Sequence, residues 1–302
     1  MSSDVPAVSR GTYHPLLGTN VEIRVGATEL ALAEAGEQAA LAELTRLQSV
    51  FSVFDPGSEL SRWRAGADGP LSVELVDVLT AAERWWRVSG GAFHPATARL
   101  RQRWLRAEAE QALPSDAELD DLAHTLAELP FRVENGAVTR RGDCSGVDLN
   151  AIAKGFIVDR GVDAAMAAEG VVDVLVNAGG DLCHAGSAPL RVGVEDPRRP
   201  GGAPIRVLEL AGAALATSGP VHRGFEIQGR WYGHVLDPRT GRPVAGRPST
   251  TVRAPDAMTA DALATVVGVL DWPAAARVLA GVPGAAALSV GPDGEVLSAG
   301  RW

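Results

Sequence analysis

The sequence predicts an α+β protein, with mixed or antiparallel sheets and flanking helices, on three observations. Helical and strand periods both occur, but without the strict βαβ alternation of a doubly wound sheet. Strands come in pairs across tight turn signals, Asn135-Gly136 and Gln228-Gly229 among them, as antiparallel hairpins do. Hydrophobic residues make up 46% of the chain against 22% charged, so most of the 302 residues are expected to serve a packed core. The span 1–302 reads as one large domain with room for two sub-lobes.

Asn20 to Val25 alternates like a strand. From Glu29 to about Val50 the chain is rich in Ala, Leu, Glu and Gln, and Leu41, Leu44 and Leu47 fall at helical spacing, which predicts an amphipathic helix. The loop Phe54-Asp-Pro-Gly-Ser58 leads into Glu59 to Arg62. Val73 to Val88 forms a second helix, ended by Gly90-Gly91. Ser115-Asp-Ala-Glu118 resembles a capping box and opens a short helix to about Leu126. Residues 107–111 and 197–203 read as loops or insertions. Phe131 to Val133 and Ala137 to Arg140 flank the Asn135-Gly136 turn, and Phe156 to Glu169 reads as a helix. Val171 to Asn177, Leu190 to Val194 and Ile205 to Leu210 are strands separated by Gly and Pro. Phe225 to Ile227 pairs with Arg230 to Leu236. Helices from about Ala260 to Leu270 and from Pro273 to Leu279 then precede a hairpin around Pro292-Asp-Gly294.

A net charge of −9 argues against broad attraction to nucleic acid or an anionic membrane. A phosphate-bearing ligand would need local arginines, backbone N–H groups or a metal ion. Cys144 and Cys183 lack a Cys-x-x-Cys partner, so two reduced thiols are expected, with one disulfide as the alternative. Residues 1–10 hold no apolar core of signal-peptide length, and no stretch is long enough for a membrane span. The expectation is a soluble, cytoplasmic chain without membrane insertion.

Several motifs carry possible chemistry. Lys154 is the single lysine among 28 basic residues. An ammonium kept where arginine serves everywhere else marks a place where the planar fork does not substitute, or a compositional remnant. Gly179-Gly180-Asp181 follows a strand and lets backbone approach a ligand, or is only a turn. Thr217-Ser218-Gly219 offers hydroxyl and N–H donors to phosphate, or ends a strand. Asp261 and Thr265, four apart, share one helix face and offer the hard oxygens magnesium prefers; the alternative is that Thr259 or Asp261 is a helix cap. In Tyr232 to Pro243, His234 can act as a base or donate to phosphate and Arg239 can offset its charge, while Asp237 to Gly241 also reads as a plain turn. His94 sits in the constrained loop Gly90 to Pro95 and can equally be a surface residue.

Taken in order, these segments resemble the ApbE-type family of FAD:protein FMN transferases. The resemblance runs through Leu17-Gly-Thr19, Phe54 with Ser58 to Ser61, Gly91-Ala-Phe93 before Pro95, and Asp148-Leu149 with Ala153-Lys-Gly155 and Asp159. It continues through Asn177 to Asp181, Thr217-Ser-Gly219, His234 with Asp237 to Pro243, and Asp261-Ala-Leu263 with Thr265. It implies an enzyme that binds FAD with magnesium, cleaves the pyrophosphate, transfers FMN to a Thr or Ser hydroxyl of an acceptor protein and releases AMP. It further implies Mg2+ on Asp261, Thr265 and the backbone carbonyl of Ala151, and Lys154 in contact with the flavin nucleotide. Leu17, Phe54, Ala92, Phe93, His94, Gly180, Asp181, Ser218 and His234 would line an FAD cleft between sheet ends and loops. His234 and Asp261 would carry the catalysis, Asp261 through the metal. A magnesium-dependent FAD pyrophosphatase yielding FMN and AMP is one alternative, and a non-catalytic FAD carrier is another.

Four departures stand out from the family pattern. His94 replaces the usual Asp, Leu17 the usual Met and Phe54 the common Tyr, and residues 220–223 lack the usual acidic or amide residue followed by Tyr. The lipoprotein cysteine and its signal are absent from the sequence given.

Overall fold

The computed structural model describes residues 6–219, 224–245, 249–291 and 293–302. Two features of the sequence reading, the 220–223 departure and Pro292 at the tip of the closing hairpin, lie outside them. In chain order the elements are β1 (Ala7–Leu16), β2 (Thr19–Ala27), α1 (Leu30–Phe51), α2 (Glu59–Arg64), α3 (Val73–Val88), α4 (Ala98–Glu110), α5 (Asp116–Thr125), β3 (Phe131–Glu134) and β4 (Ala137–Arg140). After a 3₁₀ turn at Cys144–Gly146 come α6 (Ala153–Met166), β5 (Val171–Ala178), β6 (Asp181–Ala185), β7 (Leu190–Val194), β8 (Arg206–Leu210), β9 (Ala213–Ser218), β10 (Gly224–Ile227) and β11 (Arg230–Gly233). The last are β12 (Leu236–Asp237), β13 (Arg242–Pro243), β14 (Ser249–Ala254), α7 (Ala257–Val269), α8 (Trp272–Ala280), β15 (Ala286–Val290) and β16 (Val296–Gly300). This is the α+β arrangement the sequence predicts.

Among the described residues the main sheet has eight strands in the order β1-β2-β5-β6-β9-β14-β15-β16, and every neighbouring pair is antiparallel. Successive side chains point to opposite faces, so the central strands must be apolar on both. Val174, Val176, Ala214, Ala216, Val252 and Ala287 meet the helix layer of α1, α6 and α7. Their neighbours Leu175, Leu182, Leu215, Leu288 and Val290 join a separate cluster under the β7–β8 hairpin. A third cluster gathers Leu100, Trp104, Leu119, Phe225 and Leu236 beside α4 and α5.

Helix α4 corrects the sequence reading, because residues 107–110 are its last turn and not a loop or insertion. Arg99, Arg101, Arg103 and Arg106 mask its periodicity, yet Leu100, Trp104 and Ala107 repeat at helical spacing and are buried. The chain leaves this helix through Gln111 in a left-handed conformation, φ 49°. Other elements follow the sequence closely. Ser115 and Glu118 form the capping box, and Asn135 and Gly136 take the positive φ values of a two-residue hairpin turn. Cys144 and Cys183 are buried free thiols. Among the described residues, no helix is long and apolar enough to cross a membrane.

Candidate active site

The segment that carries Lys154 enters α6 under tight constraint. Asp148 donates its N–H to the Pro95 carbonyl at 2.6 Å, and its carboxylate accepts the Asn150 N–H at 3.0 Å. Ile152, the residue before the helix, offers no side-chain cap, so the opening amides of α6 need partners from elsewhere. One comes from α7: Gly155 N–H, which a regular helix would give to the Ala151 carbonyl, goes to Asp261 Oδ2 at 3.2 Å. Gly155 has no alternative residue here, since a Cβ would fall 2.2 Å from the Ala257 carbonyl oxygen. The reading of Thr259 or Asp261 as the cap of α7 is therefore corrected. Asp256 is that cap, accepting Thr259 N–H at 2.7 Å, and Asp261 lies one turn inside, serving the N-terminus of the other helix.

Charge concentrates at this crossing. Lys154 forms an ion pair with Asp181 at the start of β6, with the Lys side chain 29% and the Asp side chain 2% exposed. Asp261 is buried close by. Burial first, and then the charge of Asp181, push its carboxyl up to about 8, against the pull of Lys154 and the Gly155 N–H. Asp159, on the same α6, rises to about 6, chiefly through burial, although it accepts Ala257 and Met258 N–H at 2.7 and 2.9 Å.

A buried carboxyl that resists ionisation beside two others is a place where a cation would be welcome, and the donor set fits a hard one. Among the described residues no three His, Cys, Asp or Glu side chains converge as a metal cage. A cation here would be held by the Asp261 carboxylate, the Thr265 hydroxyl on the same helix face and the Ala151 carbonyl, with waters completing its shell, as Mg2+ commonly is.

The remaining predicted residues are placed unevenly around this centre. Leu17 occupies the β1–β2 turn with φ 54°, a costly conformation for a branched side chain, and its N–H donates to Gln48 Oε1 at 2.7 Å. Gly180, in the neighbouring β5–β6 turn, is reached through Gly179, whose N–H donates to the Asn20 carbonyl at 3.1 Å. Both turns thus lie at the sheet end where Asp181 begins. Ser218 ends β9 at the same edge and faces α7, where a Cβ on Gly268 would lie 3.9 Å from its hydroxyl. Phe54 projects into solvent, 87% exposed, from the loop after α1.

Ala92 and Phe93 are buried, so their side chains belong to the core and only their backbone can face a ligand. His94 is buried too: Nδ1 accepts Ala96 N–H at 3.0 Å, and among the described residues Nε2 has no partner at hydrogen-bond distance. Burial lowers its pKa to about 4, so the ring is neutral at pH 7. His234 is half-buried just after β11. Arg239 is not a spare charge for phosphate, because Asp237 holds its Nε and Nη2 at 2.9 and 2.8 Å. Asp159 stands in the family pattern, one helical turn after Gly155, with no role assigned to it from sequence.

A lysine and clustered carboxylates thus meet where α6 and α7 cross, at the end of an antiparallel sheet. The chain matches the model of the ApbE family over residues 17–289 and belongs to that family. It is 32% identical over 311 residues to the FAD:protein FMN transferase of Treponema pallidum, across 93% of this chain and 84% of that protein. With the FAD:protein FMN transferase of Rhodobacter capsulatus it shares 30% identity over 312 residues, across 99% of this chain and 58% of that longer protein. Its fold is similar to the crystal structure of the ApbE protein of Thermotoga maritima, with TM-score 0.83, 29% identity and 97% of each chain covered.

Proposed function

We propose that this chain transfers FMN from FAD to a hydroxyl of an acceptor protein and releases AMP. Family membership supports the reaction class, and the meeting of half-buried Lys154 with buried Asp181 and Asp261 at the crossing of α6 and α7 is the observation that carries the reading to particular residues. The acceptor oxygen, from Thr or Ser, attacks the phosphorus of the FMN half. The bond from that phosphorus to the bridging oxygen breaks, AMP leaves with the electron pair, and the hydroxyl proton passes to solvent or to a base at the site. Such phosphoryl transfer depends on positioning and charge neutralisation more than on covalent help from the enzyme.

Mg2+ held by Asp261, Thr265 and the Ala151 carbonyl would supply Lewis-acid neutralisation of the diphosphate. Lys154 anchors the flavin nucleotide as a compact charge, with Asp181 fixing the direction of its stem. Gly180, whose N–H is held by Asn177 Oδ1 at 3.0 Å, lets backbone approach the ligand, Ser218 offers a hydroxyl donor at the sheet end, and Leu17 and Phe54 offer apolar surface. His234 contacts the phosphates. The backbone of Ala92, Phe93 and His94 would line the same cleft.

The test is to mix the protein with FAD, Mg2+ and a candidate acceptor, and to follow the acceptor by mass spectrometry. An acceptor that gains FMN, with AMP released, is the expected result. Free FMN plus AMP from an unmodified acceptor would instead make the protein a pyrophosphatase, and intact FAD would make it a carrier.

A further inference from the structure

We propose that Asp159 is a positioning residue that sets the cation-holding face of α7 against Lys154, a role that rests on the reading of Asp261 and Thr265 as cation ligands. Asp159 belongs to α6, the helix that carries Lys154, yet its carboxylate reaches across to α7. Its two oxygens accept the first two amides of that helix, Ala257 N–H at 2.7 Å and Met258 N–H at 2.9 Å. Asp261 returns the gesture from α7, accepting the Gly155 N–H of α6 at 3.2 Å. Each helix therefore closes the N-terminus of the other with a carboxylate, and a two-point grip fixes rotation as well as distance.

Side-chain packing gives this register limited help near the crossing. The buried residues of α7 there are mostly small, Ala257, Ala260, Ala262 and Ala264, with Leu263 the one large apolar side chain among them. A slip of one residue would move Asp261 and Thr265 by about 1.5 Å along the axis. A displacement of about 1 Å can cost on the order of 10²-fold in rate. Asp256 makes the informative contrast. It caps the same helix end, accepting Thr259 N–H at 2.7 Å and the Thr259 hydroxyl at 3.0 Å, but it does so from within α7 and, among the described residues, hydrogen-bonds it to no other element.

The experiment compares Asp159→Ala with Asp256→Ala in the full chain. Two readouts are taken: Mg2+ affinity by titration calorimetry, and amide hydrogen exchange of the peptide spanning residues 150–158 without cation. Both variants lose helix-capping bonds and are expected to lose similar thermal stability. Asp159→Ala alone is expected to weaken Mg2+ binding by about 10- to 100-fold, as loss of a group that orients a metal ligand does. It alone is also expected to speed exchange around Gly155 several-fold. Should Asp159→Ala fail to fold, Asp159→Asn keeps one acceptor oxygen and is expected to show a smaller loss in both readouts. Equal effects from the Asp159 and Asp256 variants would reduce Asp159 to a simple cap, and unchanged affinity with unchanged exchange in the Asp159 variants would overturn the assignment. A wild-type protein that takes up no Mg2+ would sink the cation reading and this role with it. Exchange would then separately report whether Asp159 holds the crossing.

Discussion

Two partly buried clusters of charge in this molecule are built from similar residues and end in opposite conditions. Asp173, on β5, gives one oxygen to Arg24 Nη2 at 2.9 Å and the other to His184 Nε2 at 2.8 Å, and His184 Nδ1 faces the Gly212 N–H at 3.4 Å. Both carboxylate oxygens and both ring nitrogens there meet a complementary partner. At the crossing of α6 and α7, Asp181 and Asp261 share the influence of Lys154, Asp159 accepts two backbone amides, and Asp261 is driven toward its protonated form. Burying charge without full compensation costs stability. A fold that is satisfied at Asp173 and left wanting at Asp261 points to a ligand at the second place.

The largest expected effect tests that contrast at its unbalanced end. Asp261→Ala should lower cation-dependent FMN transfer by about 10³-fold or more, since Lewis-acid neutralisation supplies several kcal/mol. Its circular dichroism should match the wild-type spectrum. A variant that transfers FMN at the normal rate would remove Asp261 from the site. At the balanced end, Asp173→Ala strips His184, whose side chain is fully buried, of its acceptor. The expected loss is ~1–3 kcal/mol of stability in denaturant titrations. Transfer per folded molecule should stay within about twofold. A large fall in transfer would show that the two clusters are coupled through the sheet and that the distinction drawn here is false.

Much of the architecture was legible because its signals are local. Leu41, Leu44 and Leu47 announce α1, Asn135-Gly136 announces a hairpin, and Ser115 with Glu118 announces α5. Helix α4 was hidden because four arginines outweigh its three buried residues in any window average. Strands β6 and β14 were missed for a different reason. They are five and six residues long, with Asp181 and His184 buried in one and Ser249 to Thr251 in the other, polar positions that tertiary partners satisfy. The site shows the same division. Lys154, Asp181 and Asp261 could be singled out by type and spacing, but their meeting depends on Gly155 letting α7 approach, and on pairings far apart in sequence. Asp159 could be quoted in the family pattern, but its part shows only once the crossing places the amides of Ala257 and Met258 against it.

The subtlest consequence of the imbalance is a pH dependence of opposite sign to that of a paired carboxylate. An unfolded Asp ionises near pH 4, whereas folded Asp261 keeps its proton up to about 8. Between those values the folded state binds more protons than the unfolded one, so stability must fall as pH rises. Asp159, raised to about 6, adds to this trend in the lower part of the window. His94, lowered to about 4, opposes it, because its unfolded form takes up a proton below about pH 6.5 that the folded form refuses. The clean interval is therefore above pH 6.5, where Asp261 is the group still changing its proton. Without cation, the melting temperature should drop by on the order of 5 °C between pH 6.5 and 8.5, and Asp261→Asn should flatten that slope. With Mg2+ the proton must leave, so calorimetry in buffers of different ionisation enthalpy should record close to one proton released per cation at pH 6.5, and far less at pH 9. A flat melting curve in cation-free wild type, or Mg2+ binding that releases no proton at pH 6.5, would mean that Asp261 is already ionised and balanced, and that the two clusters differ less than their geometry implies.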